Sequence, residues 1–311
     1  MDSPRERIQM KLSAITALNI SLSILLAALL VTGGCNKVTQ TGITESRAVC
    51  IEMMQKIPAS EEDFEFWDVK ALRSDPDLKE MYRVWYERRA QYLEQRYGIN
   101  SSGIDYVAGS GLLNVFKIYY DTAAFRDKIK TDFYRDTTYE DMEVWKSAPS
   151  HDPQSVTGGW VLANGLLVRG SNNSNVDDYI DVIKGKVSSK YEIKANTEML
   201  EKLPAGIVTR IGQSSYPGGT IITGMALKKE DNGALRWTNI FRYEGDESTQ
   251  NTQIEKHFNE IKDDFNKSQE LLAQRGGYAP FSEFSIEREG SYIRWSMLVE
   301  ERYIIAVLFF G

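Results

Sequence analysis

The clearest chemistry in this chain belongs to Cys35. From Leu12 to Gly34 there is no charged side chain, and Arg5, Arg7 and Lys11 stand in front of that stretch. A basic start, an apolar run and small residues at its end form the pattern of a secretory signal segment. Gly33 and Gly34 would let a peptidase bring an extended backbone against its catalytic groups. A thiol immediately beyond them is a nucleophile that can take a diacylglycerol. The uncharged run is also long enough to span a bilayer uncut. Two outcomes therefore stand: cleavage between Gly34 and Cys35, or a retained anchor helix. Both place the rest of the chain outside the cytoplasm.

The string Val31-Thr32-Gly33-Gly34-Cys35 resembles a bacterial lipoprotein signal, with Thr32 where Leu is usual. The resemblance implies lipidation at Cys35 and an anchor in the cell membrane or outer membrane. Asn36, in place of Asp, permits outer-membrane sorting in a two-membrane cell. Two acyl chains, at roughly 0.8 kcal/mol per buried CH₂, hold firmly without a spanning helix.

Other chemistry is thinly supplied. With Cys35 lipidated, Cys50 is the one remaining cysteine, so no internal disulfide forms. Cys50 lies in an apolar-leaning helical stretch and reads as a small core residue. The two histidines, His151 and His257, have no partner at metal-ligand spacing. The clusters Glu61-Glu62-Asp63, Asp177-Asp178 with Asp181, and Asp263-Asp264 could meet a hard cation, but none has the alternating spacing of a calcium loop. Ser214-Ser215-Tyr216 has no histidine nearby and no Gly-x-Ser-x-Gly frame. Gly109-Ser110-Gly111 opens like a dinucleotide loop but lacks its third glycine and its helix. No cofactor and no metal site is expected.

Composition narrows the partners. The net charge is −7, and the signal segment carries a positive share, so the mature part is more acidic still. An acidic surface is repelled by phosphate, which argues against nucleic acid. Sixteen tyrosines and six tryptophans supply ample material for a packed core.

The elements that must position these residues follow from periodicity. Residues 36–44 are a polar tether, and a short helix stops before Pro58. Phe64–Val69 alternates as a strand. A helix begins at Ser74 or Asp75 with Pro76 in its first turn and ends at Gly98. Strands are predicted at 104–108 and 113–120 around Gly109-Ser110-Gly111, then a helix at 122–130 and a strand at 139–146. Strands at 159–163 and 166–169 straddle Asn164-Gly165, a strong hairpin signal. Asn175 is expected to cap a helix that ends at Gly185. A strand at 206–211 follows, then a hairpin of 220–229 with 234–243 about Asp231-Asn232-Gly233. A helix spans about 249–275, with Ile254, Phe258, Ile261, Phe265 and Leu272 inward. A last hairpin joins 281–288 to 292–300, and 303–310 reads as a buried strand.

An internal echo links Met54-Gln55-Lys56-Ile57-Pro58 to Leu200-Glu201-Lys202-Leu203-Pro204, each ahead of a strand. The string from Ile57-Pro58-Ala59 through Phe66-Trp67-Asp68-Val69-Lys70-Ala71-Leu72-Arg73-Ser74-Asp75-Pro76 resembles the opening of a family of uncharacterised prokaryotic lipoproteins, a domain of unknown function. So do Leu166-Leu167-Val168-Arg169-Gly170, the segment from Asp178 to Gly185, and Lys202-Leu203-Pro204. The resemblance implies repeated α+β units behind a lipidated cysteine and brings no activity with it.

The expectation is an α+β protein of two tandem antiparallel-sheet units, ferredoxin-like or related, with helices on one face. Residues 1–34 are the signal, 35–55 the tether and short helix, 56–200 the first unit and 201–311 the second. The expected role is non-catalytic binding or scaffolding at the cell surface, with the membrane and another envelope protein as partners. One alternative is a binder of an apolar or amphipathic solute, with Trp85, Trp145, Trp160, Trp237 and Trp295 as candidate wall residues. A second is a carboxylate-dependent hydrolase.

Overall fold

Phe66 and Trp67 are neighbours in one short strand, so their side chains leave it on opposite faces. Both are buried, in different apolar clusters. A strand of that kind needs cover on two sides, and this requirement shapes the molecule. The computed structural model describes residues 45–139, 141–148, 157–163, 165–274 and 281–300.

The strand is β1 (Phe64–Asp68), preceded by helix α1 (residues 45–54). After it come α2 (Val69–Ser74), a 3₁₀ turn, α3 (Lys79–Tyr82), a π-helical turn at Arg83–Glu87, and α4 (Arg88–Tyr97). The hairpin β2 (Ile104–Gly109) and β3 (Leu113–Ile118) leads to α5 (Thr122–Ile129). Four strands then return as a meander: β4 (Phe133–Asp136), β5 (Glu143–Ser147), β6 (Gly159–Ala163) and β7 (Leu166–Gly170). Helices α6 (Asn173–Ile183) and α7 (Lys194–Lys202) precede β8 (Val208–Tyr216), β9 (Gly219–Lys229) and β10 (Leu235–Gly245). The long helix α8 (Glu247–Gln274) connects to the hairpin β11 (Phe281–Glu289) and β12 (Tyr292–Val299).

All twelve strands belong to one antiparallel sheet, in the order β11-β12-β10-β9-β8-β1-β2-β3-β7-β6-β5-β4. The expected pair of tandem sheets is therefore a single sheet, because β1 pairs with β8 through Phe64↔Ile211, Glu65↔Arg210, Phe66↔Thr209 and Trp67↔Val208. The described residues from Ser46 onward form one compact unit, and the expected boundary at residue 200 falls inside α7. The helices lie on both faces, not one. Side chains of α2 to α5 pack with Trp67, Phe116, Trp160 and Trp237, while α1, α6 and α7 pack with Phe64, Phe66, Val115 and Val161. Within each half the first strand pairs directly with the second. A ferredoxin-like split βαβ would place another strand between them.

Local chemistry explains the boundaries. Asp75 caps the turn at Pro76 by accepting from the Asp77 N–H at 2.9 Å. Gly98 closes α4 at φ 70°, a left-handed conformation that favours glycine. The cap of α6 is Asn172 and not Asn175. Asn172 accepts from the Asn175 N–H at 2.9 Å while Asn175 accepts from the Asn172 N–H at 3.2 Å, a reciprocal capping box. On β9, a Cβ at Gly224 would stand 2.5 Å from the Met199 sulfur, so the missing side chain is what lets α7 lie against the sheet. The predicted strand at 303–310 lies outside the described residues, as do the signal segment and the tether.

Trp160 is fully buried and meets Tyr97 of α4 and Phe125 of α5 edge-on, at ring centroids 4.8 Å and 5.2 Å apart. Trp160→Ala should lower the unfolding free energy by about 3–5 kcal/mol, the cost of a large buried cavity. Trp160→Phe, which keeps a ring against both partners, should cost less. Chemical denaturation followed by circular dichroism measures both, and equal losses would show that the ring contacts contribute little.

Candidate functional site

The middle of the sheet carries a polar arrangement that joins both halves of the described chain. The loop after α1 is zipped to the loop before α7: Pro58 bridges Ser189, the Ala59 N–H donates to the Ser188 carbonyl at 2.9 Å, and the Lys190 N–H to the Ile57 carbonyl at 2.7 Å. This seats Lys190, almost fully buried, beside Glu61-Glu62-Asp63. Its ammonium donates to the Glu62 carbonyl at 3.2 Å. Burial pushes the Lys190 amine below its ordinary value, and Asp63, Glu61 and Glu62 act in the opposite direction. Asp63 also faces Arg210 of β8 at 3.3 Å. The hydroxyl of Ser110 donates to the buried Glu61 carboxylate and accepts from the Leu113 N–H at 3.2 Å. Gly109-Ser110-Gly111 thus makes the β2–β3 turn and is no phosphate cradle. Glu61 and Asp63, weighed above as cation ligands, each face a donor from the protein itself.

A second network joins the outer strands to α6. Lys146, on β5, reaches Asp177 at 2.6 Å and Asp136 at 3.1 Å, and the Tyr139 hydroxyl donates to Asp177 at 2.6 Å. Burial alone would lower the Lys146 amine, but hydrogen bonds to Asp177 and Asp136 carry it well above its ordinary value. Asp178 is raised by burial and by Asp177 and Asp181 beside it, and Asp181 pairs with Lys186 at 2.7 Å. This acidic cluster is compensated by lysines. Lys146 and Lys190 went unnoticed in the sequence, since an isolated lysine gives no signal of its burial.

The remaining candidates separate clearly. Cys35, Gly34 and His151 lie outside the described residues. Trp160 and Trp237 are buried in the core, Trp145 and Trp295 are half-buried against it, and Trp85 falls in the π-helical turn. Ser214, Ser215 and Tyr216 end β8, and the Tyr216 hydroxyl donates to the Glu244 carbonyl at 3.1 Å. Asp263 and Asp264 are on the exposed side of α8. His257, on the same helix, shares a hydrogen bond with the Tyr243 hydroxyl through Nδ1. Among the described residues no three or more His, Cys, Asp or Glu side chains are placed to hold a metal, and no helix is long and apolar enough to cross a membrane. Grooves of 750 Å³ and 420 Å³ run between α8 and β11, and one of 160 Å³ lies among Lys202, Ile240, Tyr292 and Arg294. No protein-family model, curated protein or solved structure matches the chain.

Cys50 is a free, buried thiol on α1, packed among Val49, Met53 and Met54. Burial pushes it up to about 12, against the pull of Arg47. The thiolate is the reactive form, so Cys50 should resist iodoacetamide at neutral pH in the folded protein and react fully once urea unfolds it. Mass spectrometry of alkylated peptides reads the difference, and rapid native labelling would mark Cys50 as a functional thiol.

Proposed function

We propose that the chain is a lipid-anchored, extracytoplasmic protein that works without catalysis, by engaging another envelope component or holding a position at the membrane surface. The observation that carries this reading is the filling of both faces of the sheet. The described cavities are open clefts at one end of it, lined by charged and apolar side chains together. Compact cores with open clefts suit recognition between macromolecules better than enclosure of a small substrate. The solute-binding alternative is less well supported, because Trp160 and Trp237, two of its candidate wall residues, belong to the packed core. The anchor rests on Cys35 and the residues before it.

The same proposal includes the finer architecture: two diverged copies of one unit, with 56–200 as the first and 201–311 as the second, behind a signal helix. The topology supports it. β1-β2-β3 is followed by α5 and a meander that returns beside β3, and β8-β9-β10 is followed by α8 and a hairpin that returns beside β10. The echoed pentapeptides stand at equivalent places, where α1 and α7 end.

Cys35→Ser should abolish incorporation of labelled fatty acid and leave an unprocessed precursor in the membrane fraction. Intact-mass measurement of the native membrane protein with residues 1–34 still attached would defeat the cleaved-anchor reading. The purified protein should hold less than one equivalent of zinc, and a chelator should leave its melting temperature in place. Stoichiometric metal with a large chelator-induced drop would reopen the enzyme reading.

A further inference from the structure

Helix α8 is attached differently from every other helix. Among its described side chains only Ile254 is buried. The apolar cluster beneath it consists of Tyr243, Ile254 and Ile293, with Phe241, Phe258 and Ile261 packed against them, and is separate from the two large cores. Two grooves open its seam with β11, on either side of the first-half cluster and of Phe265, which stacks on Phe284 at 3.9 Å and packs against a main core. The 750 Å³ groove lies between Gln250, Asn251 and Arg288, and the 420 Å³ groove between Phe265, Gln269, Phe281 and Phe284. One side-chain hydrogen bond ties the middle of the helix to this cluster. The hydroxyl of Tyr243, itself buried, shares a hydrogen bond with Nδ1 of His257, whose ring meets Phe241 edge-on at 4.7 Å.

We propose that the first half of α8 is a pH-gated strap: Nδ1 of His257 accepts from the Tyr243 hydroxyl, and its protonation unseats that half and bares Phe241, Tyr243 and Ile293 at that end of the sheet.

A neutral imidazole can accept at Nδ1 only while its proton is on Nε2. Protonation turns the acceptor into a donor facing another donor. The Tyr243 hydroxyl must then rotate and send its own proton into an apolar cluster, which is costly for a buried polar group. The surroundings do little to relieve this. From β8, Tyr216 is nearby, but its hydroxyl is committed to the Glu244 carbonyl at 3.1 Å. From β10, the Tyr243 carbonyl is held by the Gln250 side chain, and the Glu244 carboxylate pairs with Arg242 at 2.9 Å. From β11, Arg288 is bound to Asn251 at 3.1 Å. On α8 itself, Glu260 favours the charged imidazole but is shared with Lys256 at 3.8 Å. Burial prevails and holds His257 below its ordinary value of 6.5. A histidine whose folded value is lowered contributes stability above its unfolded value, and that contribution is lost as pH falls through the window between the two. Because the cluster under the first half of α8 is a satellite, while Phe265 further on stays packed against a main core, the opening is local and leaves both main cores closed.

Hydrogen-exchange mass spectrometry on the full chain in detergent, with rates corrected for intrinsic pH dependence, tests this. Between about pH 7.5 and pH 5, exchange across residues 247–261 should accelerate about tenfold or more, with β6 and β7 unchanged. In His257→Gln, whose amide oxygen can accept from Tyr243 and cannot titrate, the acceleration should vanish. Unchanged protection of α8 in the native chain, equal acceleration in His257→Gln, or acceleration throughout the sheet would each overturn the proposal. Should His257→Gln fail to fold, the His257 imidazole can be titrated by NMR in the native chain and in Tyr243→Phe. The native midpoint should lie below 6.5 and rise in Tyr243→Phe. A native midpoint at or above 6.5, or one that Tyr243→Phe leaves in place, would overturn the proposal.

Discussion

The pairing of β1 with β8 is the constraint on which the rest depends. Four residue pairs join strands some 145 positions apart in the chain and turn two sets of strands into one sheet. Without that seam, Phe66 and Trp67 on one side and Val208 and Ile211 on the other would stand at open edges. Apolar edges of that kind invite pairing with other chains. With the seam closed, both strands are central, and each needs a helical layer above and below. The demand for cover on two faces follows from the residues of β1 themselves.

That demand explains why α1 and α7 meet. Arg47 of α1 reaches the last carbonyls of α7, donating to Leu200 and, at 3.3 Å, to Leu203. A cation at a helix C-terminus satisfies carbonyls that have no partner within the helix and complements the helix dipole. The loops that follow α1 and precede α7 are then bridged through Pro58 and Ser189. Lys190 is carried beneath the acidic loop as a result. The polar arrangement at the centre is thus tied to the seam: it joins the two halves on one face while main-chain bonds join them within the sheet. Its groups face protein partners, so its role is cohesion.

Much of the fold was legible from local signals. Asn164-Gly165 and Asp231-Asn232-Gly233 announce hairpins because tight turns restrict backbone chemistry. Pro76 and Gly98 marked the limits of the longest early helix for the same reason. The seam between β1 and β8 was not legible, since partner choice between distant strands depends on global packing and leaves no local mark. The four-residue strand β4 was missed because Phe133–Asp136 is too short for alternation to register. The sequence points to Asn175 as the cap of α6, three residues late, because Asn172 and Asn175 are both good cap residues and only their mutual geometry ranks them. At the candidate site, the acidic residues were visible and the lysines that compensate them were not. Burial of a lysine is a property of its neighbours.

The two ends of the sheet differ in a way that bears on where recognition can occur. At one end, β4 is short and α5 packs Phe125 and Ile129 fully into the main core. The last strands there are also pinned to α6 through Lys146 and Asp177. At the other end, β11 is nine residues long, bulged between Ser282 and Ser285, with Glu283 at φ 52°. Bulges and edge charges such as Glu287 and Glu289 discourage strand addition. A partner would therefore find the main-chain edge unwelcoming and the cleft beside it open. That cleft is bounded by α8, whose first half rests on a satellite cluster while Phe265 reaches a main core. With the centre locked, movement of the first half of α8 would reshape the cleft without disturbing β1, β8 or the groups that bind them.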